Sequence, residues 1–454
     1  MHIIIVGYGN VGKTLTSELT GEGHKITVID KKQELVEEAG NVQDVLAICG
    51  NGVSASVLYE AGVDSADLVI SVTGNDELNL LISVIAKRAG GSSCSTIARV
   101  AQSVFQQEAG LLRKEIGISL LVNSELETAH ELARLIKYPA ALEVTSFAKS
   151  RIEMMKLPVN EGHKLAHTAL KDIKSVIGYD LFIGMIERDD EIIVPNGATV
   201  LKPGDMIWVV TSAKDAMQFL KKTDFLSTKV KNVMMVGGGE TSVYLTKLLS
   251  AMDIQVKIIE NDRDRCEHLA SELPNAVIIN GDGTDVNLLG EEDIYGMDAF
   301  VAWTNIDEEN VMLSSYVKSI SKAKLMTKVH RVNYDEILKS MNIGSILYPK
   351  KITSDYILGY VRALENGMGS NVETLYRLRD GRVEALEFIV SEDAKDYTGR
   401  PLMELPIMRN VLICSIMRKG TVFTPSGVDT LECGDSVIVM TTYRGMNDLR
   451  DIFR

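Results

Sequence analysis

The residues best placed to do chemistry are Gly7-Tyr8-Gly9-Asn10-Val11-Gly12, which follow the apolar run Ile3 to Val6 and open an amphipathic stretch, and Asp30, 18 positions beyond Gly12. After a strand and at the start of a helix, GxGxxG is a dinucleotide cradle. The first glycine permits a tight turn, the second lets backbone approach a pyrophosphate, and the third lets the helix pack on the strand with its first amides facing the phosphates. Asp30 would accept hydrogen bonds from ribose hydroxyls and repel a 2′-phosphate, favouring NAD over NADP, a preference tempered by the adjacent Lys31 and Lys32. Three more loops belong at the same edge: Gly50-Asn51-Gly52, Thr73-Gly74, and Arg99, whose guanidinium suits a phosphate. Asp76 and Glu77 read as helix N-terminal charges.

The elements that must position these residues occur twice, since residues 1–225 lie over residues 230–454. HIIIVGYGNVG at 2–12 matches NVMMVGGGETS at 232–242, Asp30 matches Glu260, and CGNG at 49–52 matches NGDG at 280–283. ADLVISVTGNDELN at 66–79 lies over MDAFVAWTNIDEEN at 297–310, pairing Thr73 with Thr304, Asp76 with Asp307 and Asn79 with Asn310. The second glycine loop is less regular. Gly237 and Gly239 stay, but Ser242 replaces the third glycine, Glu240 stands where the first copy has Asn10, and Lys328 replaces Arg99. Glu260 and Thr304 could still bind a nucleotide while Glu240 would sit near its diphosphate, so the sequence leaves binding by the second copy open.

Gly7 to Thr14 also fits GxxxxGK[ST] formally. The second copy argues against a P-loop, because its loop ends in Thr241-Ser242-Val243-Tyr244 while the acid closing the second strand is retained. Asp67 moreover begins its strand, where a magnesium-binding acid would end it. His163 and His167 are spaced i, i+4, but no third ligand lies near; the expectation is a surface helix and no metal. Dehydrogenase chemistry needs an acid or base beside the nicotinamide, and the smaller lobes share no His, Lys or Cys for it.

In the first copy, apolar runs at Ile3 to Val6, Ile26 to Ile29, Val45 to Ile48, Leu68 to Val72, Ser95 to Val100 and Ser119 to Val122 alternate with amphipathic stretches such as Val11 to Leu19 and Glu77 to Arg88. This is the pattern of a doubly wound parallel sheet of about six strands, ligands lying at the strands' carboxyl ends. A smaller α+β lobe follows, with Asp189-Asp190 and Lys419-Gly420 as turn signals and Gly204-Asp205 paired with Gly434-Asp435. The expected order is a Rossmann-like lobe at 1–145, a small lobe at 146–226, a second Rossmann-like lobe at 227–371 and a second small lobe at 372–454. Lys221 to Lys231 reads as a linker and Glu365 to Ser370 as the break inside the second copy.

Composition sets outer limits. The 454 residues suggest about three to four domains. With 48 Lys and Arg against 62 Asp and Glu, the net charge of −14 gives no basic surplus for nucleic acid or an anionic leaflet. Hydrophobic residues at 45% and charged residues at 24% are ordinary globular usage. No signal peptide is visible, and the apolar runs, such as Met206 to Val210 and Val437 to Met440, are strand-length rather than membrane-length. Five scattered cysteines (Cys49, Cys94, Cys266, Cys414, Cys433) without a CxxC fit a soluble protein in a reducing cytoplasm.

The Gly7 to Gly12 loop with Asp30, the run GNGVSASVLYEAGVDSADLVISVTGNDELN at 50–79 and the duplicated smaller lobe together resemble, over the whole chain, the TrkA family of Trk-system potassium uptake regulators. The resemblance implies two RCK (regulator of potassium conductance) units, each a Rossmann N-lobe followed by a C-lobe. These would assemble as a cytoplasmic homo-oligomeric ring, a tetramer, under a membrane-embedded potassium channel or transporter subunit. It implies NAD(H), with ATP and ADP as further ligands, and no catalysis. Gly7, Gly9, Gly12, Asp30, Thr73, Gly74, Arg99, Gly237, Gly239 and Glu260 match the family's binding positions, with Ser242 as a departure. Two alternatives remain at this level: an NAD-dependent oxidoreductase, or a stand-alone sensor with a cyclic dinucleotide at the C-lobes. The stretches Ser124 to Tyr138 and Ser354 to Asn366 are candidates for coupling and oligomer contacts, against plain N-lobe packing.

Overall fold

The computed structural model describes residues 1–454 apart from 43–44, 92–93, 179–180, 226–228, 331–334, 367–371, 379–380, 392–393, 395, 447 and 454. Part of the expected linker and most of the break at Glu365 to Ser370 therefore lie outside the described residues. The chain forms two compact units, and they group lobes by kind: Met1–Ala133 with Lys231–Leu358, and Arg134–Val230 with Gly359–Arg454. Among the described residues no helix is long and apolar enough to cross a membrane.

The first unit holds two six-stranded parallel sheets. In the first copy these are β1 (His2–Val6), β2 (Lys25–Asp30), β3 (Val45–Cys49), β4 (Leu68–Ser71), β5 (Ser95–Val100) and β6 (Leu120–Asn123), ordered β3-β2-β1-β4-β5-β6. The order reverses between β1 and β4, where the crossovers leave to opposite faces of the sheet and open a crevice at the carboxyl ends. Both central strands are buried almost throughout, which is why they read as unbroken apolar runs. At the edge, β3 leaves Leu46 exposed.

Following the small lobe of the first copy, the Rossmann-like lobe of the second repeats the arrangement in strands from Asn232–Val236 to Ser345–Leu347. The doubly wound fold expected from the apolar runs is therefore present twice. The helices that matter for the site are α1 (Asn10–Gly21), α2 (Gln33–Gly40), α3 (Asp76–Ala89), α4 (Ser124–Lys137), α5 (Glu240–Ser250), α6 (Arg263–Glu272), α7 (Asp307–Ile320) and α8 (Pro349–Asn366). α8 begins before the expected Ser354, because Pro349 suits a first helical position, where no amide proton is needed.

The second unit holds two five-stranded antiparallel sheets. Strands β7 (Glu143–Phe147), β8 (Ile152–Pro158), β9 (Phe182–Arg188), β10 (Glu191–Ile193) and β11 (Met206–Ser212) are ordered β10-β9-β11-β8-β7, and five strands between Val372 and Thr441 form the second sheet. The hairpin turns lie at the two signals: Asp189 and Asp190 have φ of 48° and 64°, Lys419 and Gly420 of 49° and 83°, the paired left-handed residues of a type I′ turn. The repeated Gly-Asp buries Asp205 and Asp435 fully, each gripped by two guanidinium nitrogens, of Arg188 at 2.7 Å and of Arg418 at 2.7–2.8 Å. One apolar cluster spans both lobes, joining Phe147, Met154, Met185 and Trp208 to Cys414 and Met440.

The expected surface helix at His163 and His167 is absent. The segment is a turn, with Gly162 at φ 80° and His167 at φ 64°, and His163 stacks on Phe225 at 4.2 Å. Left-handed residues interrupt the helical path, so i, i+4 spacing does not put the imidazoles on one face.

Candidate functional site

Because the first sheet is parallel, every expected residue of the first copy falls at one edge. Gly7 has φ +104°, and its amide donates to the Ile29 carbonyl at 2.8 Å. A Cβ on Gly7 would press on the Thr73 backbone nitrogen at 3.0 Å, while one on Gly12 would collide with the Gly7 carbonyl oxygen. Those two glycines serve the turn and the close packing of α1. Gly9 differs: a Cβ there meets nothing within 4 Å, and the same holds for Gly74. At both positions the backbone faces open space rather than protein. Asn10 is exposed at the start of α1, whereas the side chains of Tyr8 and Val11 are buried. Burial, followed by the nearby Glu38 carboxylate, raises the Tyr8 phenol above its ordinary pKa.

The loop itself orients the Asp30 carboxylate. One oxygen accepts from the Tyr8 amide at 2.7 Å and the other from the Lys32 amide at 2.9 Å. Each oxygen keeps acceptor capacity for a ribose hydroxyl. Asn51 folds onto its own loop, its side-chain oxygen accepting from the Val53 amide at 3.3 Å. Thr73 donates from amide and hydroxyl to the Asn79 side-chain oxygen at 2.8 and 2.7 Å, and the Asn79 amide donates to the Arg99 carbonyl at 2.9 Å. The Arg99 Nε donates to the Ser124 hydroxyl at 2.7 Å and its Nη1 reaches the Thr73 carbonyl at 3.5 Å. Asp76 is more than a helix-end charge: nearly buried, it accepts from the Ala101 and Gln102 amides at 2.8 and 2.9 Å and so fixes the chain leaving β5.

The P-loop reading loses its lysine. Lys13 is bound to both Glu38 oxygens at 2.6 Å, Thr14 donates to the Asn10 carbonyl, and Asp67 accepts from the His2 amide at the opposite end of β1.

The second edge copies the first and then departs from it. Gly237 has φ +108° and its amide donates to the Ile259 carbonyl; Glu260 accepts from the Gly238 amide at 2.7 Å and the Asp262 amide at 2.9 Å. Gly239 again faces open space. Ser242, where the first copy has Gly12, donates its hydroxyl to the Gly237 carbonyl at 2.6 Å, so the substitution closes the loop by a hydrogen bond. Arg265 from α6 braces it from outside, donating to the Gly238 carbonyl at 2.7 Å and to Glu240 at 3.1 Å.

Thr304 donates its amide to Asn310, whose own amide donates to the Thr304 and Lys328 carbonyls. Lys328, where the first copy has Arg99, points its amine at the Asn305 side chain at 3.1 Å, 5.7 Å from the centre of the Trp303 ring; burial lowers its pKa against the carboxylates of Glu125 and Asp307. Thr241, in the first turn of α5, donates to the Glu125 carboxylate of the first copy at 2.6 Å.

Four residues went unassigned from sequence. Asn79 and Asn310 align in the repeat, which was a usable signal. Arg265 acts on the second copy's loop and nothing in the repeat marks it, whereas Glu125 falls in the stretch Ser124 to Tyr138 expected to make coupling contacts.

Known proteins supply an independent comparison. The TrkA-N domain model matches residues 3–124 and 233–349, and the TrkA-C domain model matches residues 154–224 and 385–454. A Trk system potassium uptake protein TrkA homolog of Archaeoglobus fulgidus is 32% identical over 454 residues, covering 100% of both chains. The Trk system potassium uptake protein TrkA of Haemophilus influenzae is 30% identical over 463 residues, covering 100% of this chain and 99% of that one. In fold, the chain resembles the GsuK RCK domain (TM-score 0.59, 16% identity, 98% of this chain and 93% of that chain) and the GsuK channel bound to NAD (TM-score 0.61, 16% identity, 98% and 77%).

Proposed function

Since this chain belongs to the TrkA family, with TrkA-N and TrkA-C domains in tandem and full-length relatives that are Trk potassium uptake proteins, we propose that it is a non-catalytic regulatory subunit. In this reading it binds NAD(H), or ATP and ADP, and biases a membrane-embedded potassium channel or transporter subunit toward open or closed. It works in the cytoplasm as a homo-oligomer, a tetrameric ring, held at the membrane by its partner alone. The proposed lobes are 1–145, 146–226, 227–371 and 372–454, although the two compact units part earlier, within α4 and α8, after Ala133 and after Leu358.

The observation that carries the proposal is the first edge, where a carboxylate already oriented at Asp30 closes β2 and the backbone at Gly9 and Gly74, after the neighbouring strands β1 and β4, faces open space. The amides opening α1, at Asn10 and Val11, would face the phosphates, and Asp30 would take the ribose. Gly7, Gly12, Tyr8 and Asn51 shape the loops. Thr73, Gly74 and Arg99 would meet the rest of the ligand. On the second edge Gly237, Gly239, Glu260 and Thr304 hold the corresponding positions. A bound nucleotide supplies differential affinity and no bond chemistry: a tenfold preference for one lobe arrangement shifts the equilibrium by about 1.4 kcal/mol per site, and several sites in a ring add up.

Thermal shift with NADH, NAD, ATP and ADP on the wild type and on Asp30→Ala tests the reading. Ligand at about 100 times its Kd should add about 2.7 kcal/mol to the unit that binds it, a rise of several degrees, and Asp30→Ala should lose the rise. No shift with any of the four ligands would sink the nucleotide reading.

A further inference from the structure

At the second edge two side-chain carboxylates stand where a nucleotide diphosphate would meet the start of α5. Glu240 is the first residue of that helix and is held by Arg265 at 3.1 Å. Glu125 comes from the first turn of α4 in the other copy and accepts the Thr241 hydroxyl at 2.6 Å, with Lys328 responding to its charge from the neighbouring strand. The first edge carries the uncharged Asn10 where the second has Glu240.

The α4 turn that delivers Glu125 is itself anchored to the first edge. Asn123, nearly buried at the end of β6, accepts from the Glu125 and Leu126 amides at 3.1 and 2.9 Å and donates its side-chain amide to the Tyr244 hydroxyl on α5 at 3.0 Å. Ser124, also buried, takes the Nε hydrogen of Arg99 at 2.7 Å. Arg99 thus holds Ser124, and the next residue along the chain, Glu125, holds Thr241, the two contacts being joined by the backbone between them.

We infer that Glu125 is the resident anion of the second edge, closing it to a nucleotide diphosphate in this conformation, and that Arg99 on the first edge holds it there through Ser124. The inference rests on the nucleotide reading above. A carboxylate beside a helix N-terminus satisfies the same field that would attract a phosphate, and with Glu240 it adds negative charge that a diphosphate must overcome.

The test is NADH stoichiometry by titration calorimetry on the full chain. The wild type should bind one NADH per chain with measurable affinity. Glu125→Gln combined with Glu240→Gln should bind two, and adding Glu260→Ala should return the count to one. Thr241→Val, which removes only the hydroxyl that holds Glu125, is a milder variant expected to tighten the second site by about tenfold. Two equal sites in the wild type, or one site in both the double variant and Thr241→Val with unchanged melting temperatures, would overturn the inference while leaving the nucleotide reading intact. No binding in any variant would overturn both.

Discussion

Asn79 is sealed from solvent and spends its side chain on its surroundings, taking hydrogens from the Thr73 amide and hydroxyl and giving its own to the Thr73 and Arg99 carbonyls. It thereby ties the loop after β4 to β5, and with it the relative placement of Gly74 and Arg99. Asn79→Ala would leave several of these groups unpaired in the interior, at about 1–3 kcal/mol for each buried polar group that finds no water. A loss of about 2–4 kcal/mol from the first unit, with NADH affinity weakened in parallel, is the expected result in denaturant unfolding and calorimetry. Half-retained NADH affinity in a protein of unchanged stability would show that Asn79 is not the tie. At this scale the sequence was legible where the backbone leaves one choice, as with the turn glycines Gly7 and Gly12, and it placed Asp30 at the end of β2. Asn79 aligned with Asn310 but was given no role, because an amide reads alike on a surface and at the centre of a network. Glu125 lies in the stretch marked for coupling contacts, but its partner Thr241 is 116 residues away and no spacing pairs the two.

At the scale of elements, the parallel sheets were written in the spacing of the apolar runs, since central strands buried on both faces leave little room for polar residues. The two hairpins were equally plain, because consecutive left-handed residues call for Asp, Asn or Gly, and Asp189-Asp190 and Lys419-Gly420 supply most of that. At His163 the i, i+4 spacing suggests a helix where the backbone forms a turn, because spacing names a helix only where the backbone between is free to be one. What fixes each small sheet at its Gly-Asp corner is the Arg418–Asp435 pair and its twin Arg188–Asp205. Both aspartates are fully buried while the arginines keep part of their surface in water, so the expected loss lies below the about 3–5 kcal/mol of a wholly buried pair. Asp435→Asn should cost about 2–3 kcal/mol in unfolding of the second unit. An equal effect at Asp205→Asn would show that the corners are equivalent; a loss under half a kcal/mol at either would show that the pair is ornamental there.

On the scale of the whole chain, the lobes sort by kind rather than by copy. Nothing in the linear order announces this, because a strand face buried against its own helix and one buried against a second sheet have the same apolar pattern. The joint core of the small lobes turns on Gly184, where an added Cβ would strike the Met440 sulfur and approach the Cys414 sulfur at 3.2 Å. Gly184→Val should therefore loosen the pairing of the two small lobes, at about 1–3 kcal/mol for overpacking, and be read as earlier melting and faster proteolysis in the second unit. A variant that melts like the wild type would mean that the two sheets part without cost.

The joining of like lobes within one chain also bears on ancestry. A single-copy protein that paired with itself would have to carry every change twice, once in each partner, and a new acid at one phosphate loop would appear at both. Once two copies are fused end to end, that constraint lifts. Gly12 and Ser242, Asn10 and Glu240, or Arg99 and Lys328 can differ while the partnership that positions them stays the same. Two copies in one chain can thus differ at one loop, an open cradle in the first and a loop faced by Glu125 and Glu240 in the second.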